Sequence, residues 1–231
     1  MSQQIILFIE EDQLIAQKEN GYSLYLAKKV NEDFTVIWQS KGAVATTRNP
    51  SYQYKNTFDI TTPSFNVNFT NDSVKQGDVT FTSGGKNLPI TTGQTTTLDE
   101  YGIFSPAKNG GVKSEVLINN LLKGNPHEIL LDSKGNNIWV NRASGMNIGT
   151  ATLTPLDQYQ LWFGNLQQTG SLIAQNLSNP YVATLRAGDS FILTYNNEGD
   201  WVTGEPAKRL SDKEVAELHA KVAKVESRIA A

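Results

Sequence analysis

Apolar side chains fall at every second position in two stretches far apart in the chain. In Ser64-Phe65-Asn66-Val67-Asn68-Phe69-Thr70-Asn71 they are Phe65, Val67 and Phe69. In Ser190-Phe191-Ile192-Leu193-Thr194-Tyr195-Asn196-Asn197 they are Phe191, Leu193 and Tyr195. Period two puts alternate side chains on one face of a pleated strand, so that face is expected to be buried. Other segments match in the same order and at a nearly constant offset. Phe34–Trp38 aligns with Tyr159–Phe163, Ile60 with Leu185, Asn20-Gly21-Tyr22 with Ser144-Gly145-Met146, and Gly77-Asp78-Val79 with Gly199-Asp200-Trp201. The kept order predicts an internal duplication, giving two similar β-sandwich lobes.

The remaining pattern is of short strands punctuated by turns. Ile5–Ile9, Tyr22–Leu26, Phe34–Trp38, Thr57–Ile60, Phe65–Phe69 and Val79–Thr82 make a first lobe over 1–85. A Thr-, Gly- and Pro-rich connecting segment covers 86–115. Val116–Leu122, a hairpin across Leu130–Val140, Ile148–Leu153, Tyr159–Phe163, Ser171–Ala174, Val182–Leu185 and Phe191–Tyr195 make a second lobe over 116–209. The pattern then changes for 210–231. Ser211 with Glu214 has the form of a capping box. Val215, Leu218, Val222, Val225 and Ile229 follow at spacings of 3, 4, 3 and 4, a heptad seam, with Glu217 and Lys221 one turn apart. A helix from about Ser211 to Arg228 is predicted. Alone it is marginal at this length. Its stripe must therefore bury against its own sheet or pair with a second copy in a homodimer.

Composition agrees with a mainly β chain. The 231 residues are 39% hydrophobic and 19% charged, enough for a sizeable core. A net charge of −3 argues against nucleic acid as the main partner. With no cysteine, disulfides and thiolate chemistry are excluded. The N-terminus lacks a basic region and a long apolar run, so a cytoplasmic address is expected rather than secretion. No stretch approaches the roughly 18 apolar residues of a membrane span.

The chemistry-bearing residues are few. His127 follows a proline and His219 lies on the predicted helix, so neither a catalytic triad nor a two-histidine metal site is expected. There is no phosphate loop or dinucleotide fingerprint. Asp132–Asn137 lacks the distal glutamate of a calcium loop and reads as a hairpin tip. Glu10, Glu11 and Asp12 crowd three carboxylates at a strand end and are the candidate ligands for Ca²⁺ or Mg²⁺. The aromatics are more informative. Trp38 and Trp162 occupy matching places in the two repeats, where strand aromatics ordinarily fill a core. Trp139 and Trp201 follow polar hairpins and are candidates for an exposed platform. With Tyr159 these four tryptophans form the candidate ligand-binding set.

Gly124-Asn125-Pro126-His127-Glu128-Ile129 and Asp157-Gln158-Tyr159-Gln160-Leu161-Trp162-Phe163-Gly164-Asn165 carry a resemblance. Over roughly Phe34 to Trp201 the chain resembles a group of cysteine-free mushroom fruiting-body proteins, the group of the pink chromoprotein of Pleurotus. That resemblance implies a non-enzymatic protein that holds a small conjugated chromophore beside a metal ion. It carries over no site residue. The expectation is a binding protein with no catalysis, holding a small, largely apolar or pigment-like ligand. The alternative is a cytosolic lectin-like defence protein.

Overall fold

In a computed structural model the chain is described at every residue except 1, 48, 75–79, 166, 175–176, 187 and 231. Strand β1 (Gln4–Ile9) runs directly into helix α1 (Glu11–Glu19) and strand β2 (Ser23–Val30). Short strands β3 (Gln39–Lys41) and β4 (Lys55–Asp59) precede β5 (Phe65–Thr70). The middle of the chain carries β6 (Leu88–Ile90), β7 (Gln94–Leu98), β8 (Lys108–Asn109) and β9 (Val116–Asn120). The hairpin β10 (His127–Asp132) and β11 (Asn137–Val140) follows, then β12 (Gly149–Leu153) and the ten-residue β13 (Pro155–Gly164). Last come β14 (Tyr181–Thr184), β15 (Phe191–Tyr195), β16 (Trp201–Thr203) and helix α2 (Asp212–Ile229). The chain is mainly β, with 39% of the described residues in strand and 12% in helix. No helix among the described residues is long and apolar enough to cross a membrane.

The strands form four four-stranded sheets, ordered β16-β15-β1-β4, β14-β13-β2-β3, β11-β10-β5-β6 and β12-β9-β7-β8. This pairing does not confirm the expectation of two repeated lobes. Strand β1 pairs in parallel with β15, Ile5 opposite Phe191 and Leu7 opposite Leu193. Strand β2 pairs antiparallel with β13, and β5 with β10. Three of the four sheets thus join strands from 1–85 to strands from 116–209. The fourth joins β7 and β8 of the supposed connector to β9 and β12. Phe65 is buried on β5 between two antiparallel neighbours, whereas Phe191 is half-buried on β15 beside a parallel one. Trp38 lies outside any strand while Trp162 sits within β13. The physical reason is that alternation specifies which face is buried but leaves the hydrogen-bonding edge open to any partner. The match at Gly77-Asp78-Val79, and Val79 of the expected strand Val79–Thr82, fall outside the described residues.

One contiguous core reaches all four sheets. It contains Ile5 and Leu7, Leu24 and Leu26, Phe65 and Val67, Leu98, Val116 and Ile118, Leu130, Leu161 and Leu193. Leu14 of α1 and Leu218 and Val222 of α2 belong to it as well. Helix α1 was not foreseen. Only Leu14 and Lys18 of it are buried, so it shows almost no apolar stripe to read. Its acidic first turn and its last-turn Lys18 suit the helix dipole.

Helix α2 matches its expected limits. Ser211 accepts from the Glu214 backbone N–H while the Glu214 carboxylate takes the Ser211 N–H, completing the capping box. That arrangement and Lys208 hold the Glu214 carboxyl down at about 2. The stripe Leu218, Val222 and Val225 is buried within its own chain, with α2 packed on α1. Lys221 pairs with Glu11, and Arg228 with Glu19 at 3.1 Å.

Two outcomes follow. Leu218, 1% exposed, should lose about 2–5 kcal/mol of stability on change to alanine, whereas Ile229→Ala, at 39% exposure, should move it by about 0.5 kcal/mol or less. Urea unfolding of the two variants checks this. Glu128 is 4% exposed and burial raises its carboxyl pKa, against the two bonds from Asn141 Nδ2. A raised carboxyl binds protons in the folded state that the unfolded state has released. Its contribution is therefore greatest below the ordinary value of 4.5 and falls as pH climbs through the folded value. Glu128→Gln should flatten that decline in a pH series of denaturant melts.

Candidate functional site

A cleft of about 320 Å³ opens where β13 ends. Alternation along β13 sends Phe163 into the main core and Trp162 to the opposite face, beside Tyr25, Ala27 and Ile37. The strand stops at Gly164, and both rings reach the cleft there. The hairpin β15–β16 supplies Tyr195 and Trp201, which face each other as cross-strand partners. Their ring centroids lie 4.5 Å apart. Phe163 stacks on Trp201 at 5.9 Å and 17°, and Tyr181 lies 6.0 Å from Trp201. Trp201 is locked further, because its indole N–H donates to Asn179 O at 2.8 Å.

The polar lining comes from amides: Gln17 at the end of α1, Asn165 and Gln167 just after β13, and Asn179. Two of these side chains, and the backbone of the other two residues, are held from behind. Gln17 Nε2 donates to Gln13 Oε1, and Gln13 Nε2 donates to Asn197 O at the hairpin tip. Asn179 Nδ2 donates to Gly199 O at 3.0 Å. Gly199 has φ +83°, a backbone conformation L side chains rarely adopt, beside Gln13 and Tyr195. The hydroxyl of buried Tyr25 donates to Asn165 O at 2.7 Å and accepts the Gln167 backbone N–H.

Among the described residues the lining contains no carboxylate, imidazole or amine. Burial pushes the Tyr195 phenol up, Asp200 adds to this, and a bond with Asn179 opposes it. The phenol therefore stays neutral, and the cleft presents rings and amides without formal charge. Such a surface can stack and hydrogen-bond.

The five expected aromatic ligand residues separate. Trp162 and Trp201 line the cleft together. Trp139 is 4% exposed within the main core, opposite Leu130, and its Nε1 has no partner among the described residues. Tyr159 is fully buried, stacks on Trp38 at 6.4 Å, and accepts Lys28 Nζ at 2.9 Å. Trp38 donates its indole N–H to Asp132 Oδ2 at 3.0 Å and borders a smaller cavity of about 200 Å³ with Asp59 and Lys134. The expected metal ligands lie at the start of α1. Glu10 accepts the Asn197 N–H, Glu11 pairs with Lys221, and Asp12 is exposed in the first turn. Among the described residues no three His, Cys, Asp or Glu side chains group to hold a metal.

Gln17, Tyr22, Asn165, Gln167 and Asn179 were not anticipated. The amide-rich run after Trp162-Phe163-Gly164 was the available signal for two of them. Gln17 had none, because α1 itself was not predicted, and Tyr22 was read only as the start of a strand. Comparison with family models, with curated proteins and with solved structures finds no match to this chain.

Tyr25→Phe removes the hydroxyl that fixes the loop after β13. It should cost about 1–3 kcal/mol, the range for stranding a buried hydrogen-bonding group. Amide exchange at Asn165 and Gln167 should rise with it, as hydrogen-exchange mass spectrometry would report.

Proposed function

We propose that this chain is a non-catalytic binding protein whose cleft takes a small, uncharged, polyhydroxylated ring: a saccharide. The observation that carries this is the pairing of a tryptophan–tyrosine wall with several amides and no charge in one cleft. A sugar ring has a C–H face that packs on an aromatic ring and an edge of hydroxyls. Side-chain amides both donate and accept, which matches hydroxyls that do the same. A flat apolar guest would cover the rings but strand the amides, at about 1–3 kcal/mol for each buried group left unpaired. The lectin-like alternative from the sequence is therefore favoured over the apolar pigment.

A conjugated chromophore is the second reading. It draws support from the continuity of the rings Phe163, Tyr195, Trp201 and Tyr181, neighbours at 4.5–6.0 Å. A single cleft does not require two repeated lobes.

A glycan array of neutral saccharides tests the proposal. Binding should appear on that array, and Trp201→Ala should weaken it about tenfold or more, the equivalent of 1.4 kcal/mol. Absence of any saccharide signal, with a visible absorption band in protein from its native source, would favour the chromophore instead.

A further inference from the structure

We infer that the smaller cavity beside Trp38 is a second binding site, for a small zwitterion of the free amino-acid class, whose ammonium meets Asp59 and whose carboxylate meets Lys134. It shares no lining residue with the cleft and does not rest on the saccharide reading. The cavity measures about 200 Å³ and lies where three of the four sheets meet. Trp38 and Gln39 stand at the start of β3, and Asp59 ends β4. Asp132, Lys134 and Asn136 come from the tip of the β10–β11 hairpin. Drug-sized pockets run to roughly 300–1,000 Å³, so this one admits only a small guest.

The frame of this cavity is satisfied within the chain. Asp132 is 6% exposed, and its Oδ1 accepts the backbone N–H groups of Lys134 at 2.9 Å and Asn136 at 2.8 Å. Its Oδ2 accepts the Trp38 indole N–H at 3.0 Å and Asn136 Nδ2 at 2.8 Å. Four donors use up what a carboxylate can accept, so Asp132 fixes the hairpin tip against Trp38 and keeps nothing for a guest. Gln39 Nε2 donates to Asp59 O at 2.6 Å and ties β3 to β4. The charges of Asp59 and Lys134 are what remain. Both residues are exposed and border the cavity from different sheets. Hydrogen bonds from Thr61 hold the Asp59 carboxyl below its ordinary range, and the Lys134 charge adds to this, so the two charged ends lie within electrostatic reach. Among the described residues neither belongs to an ion pair. The Thr61 N–H takes Asp59 Oδ1 at 3.0 Å, and the carboxylate has further lone pairs to give. A carboxylate and an ammonium that border one cavity without touching are bridged by a molecule carrying the opposite charges, each contact a charge-assisted hydrogen bond. A simple amine would meet Lys134 unfavourably, and a simple acid would meet Asp59 in the same way.

Calorimetry with glycine, L-alanine, L-serine and L-valine reads this directly. Each is set beside the acid that lacks its amino group and the amine that lacks its carboxylate. At least one amino acid should bind wild type, and either truncated analogue of it should bind about tenfold or more weakly, the scale of a hydrogen bond to a charged group. Asp59→Asn should weaken that amino acid by a similar factor and no longer distinguish it from the acid lacking the amino group. Lys134→Met should in the same way no longer distinguish it from the amine lacking the carboxylate, the non-additivity of a direct contact. Thermal melts confirm that both variants are folded, and the exposure of both positions makes large losses of stability unexpected. The assignment is overturned if none of the four amino acids binds wild type, if a truncated analogue binds as tightly as its parent, or if either folded variant binds the parent as wild type does. Neither substitution touches the lining of the cleft, so saccharide binding there is read independently of this result.

Discussion

The parallel pairing of β1 with β15 is the contact on which the rest of the architecture hangs. It joins residues 5–9 to 191–195, nearly opposite ends of the chain. Parallel neighbours cannot be linked by a tight turn, so everything between them must fold as one excursion. Strand β1 is also paired on its other edge with β4, and Ile5, Leu7 and Ile9 have no exposed surface. A strand enclosed on both edges and buried by its side chains has a single admissible register, because a one-residue slip would turn its apolar set the wrong way. Closing so long a loop costs chain entropy before any contact rewards it. The shared core, rather than two local ones, is what offsets that cost.

The two helices follow from this closure. Helix α1 leaves the end of β1, and its first turn is capped by the β15–β16 hairpin, Asn197 Oδ1 taking the Asp12 N–H and Glu10 taking the Asn197 N–H. At its other end Lys18 has no exposed surface. Its ammonium donates to Ala43 O and to Glu226 of α2, both at 2.7 Å, and lies 4.3 Å above the Tyr52 ring. Burial lowers the amine's pKa while Glu226 pulls it back up. Such a pair contributes more to the uniqueness of the docking than to its strength, since each charge has lost water. Lys18 adjoins Gln17, so the contact that seats α2 also steadies one wall of the cleft.

The cleft is thus a product of four separated pieces of chain: the end of α1 with Tyr22, the end of β13 with Asn165 and Gln167, the residues Ala174, Leu177, Ser178 and Asn179, and the β15–β16 hairpin. The Gln17 and Asn179 side chains are braced by hydrogen bonds through Gln13 and Gly199, and the backbone at Asn165 and Gln167 by the Tyr25 hydroxyl. Preorganisation of this kind reduces the ordering that a ligand must induce.

By itself the sequence determined those features whose cause is local. The period of two and the turn residues called for a mainly β chain. The capping box at Ser211 and Glu214, with its heptad stripe, located α2 almost to the residue, because caps and periodicity act within a few residues of one another. Trp201 was identifiable from the polar hairpin before it. Tertiary structure alone decided which strands pair, that the stripe of α2 meets its own chain, that Trp139 and Tyr159 are interior, and that Gln17, Gln167 and Trp201 meet. A backbone edge is chemically alike in every strand, so partner choice is a property of the whole core and is invisible to any local pattern. The same holds for α1, whose stability comes from the hairpin and helix it touches and not from its own residues.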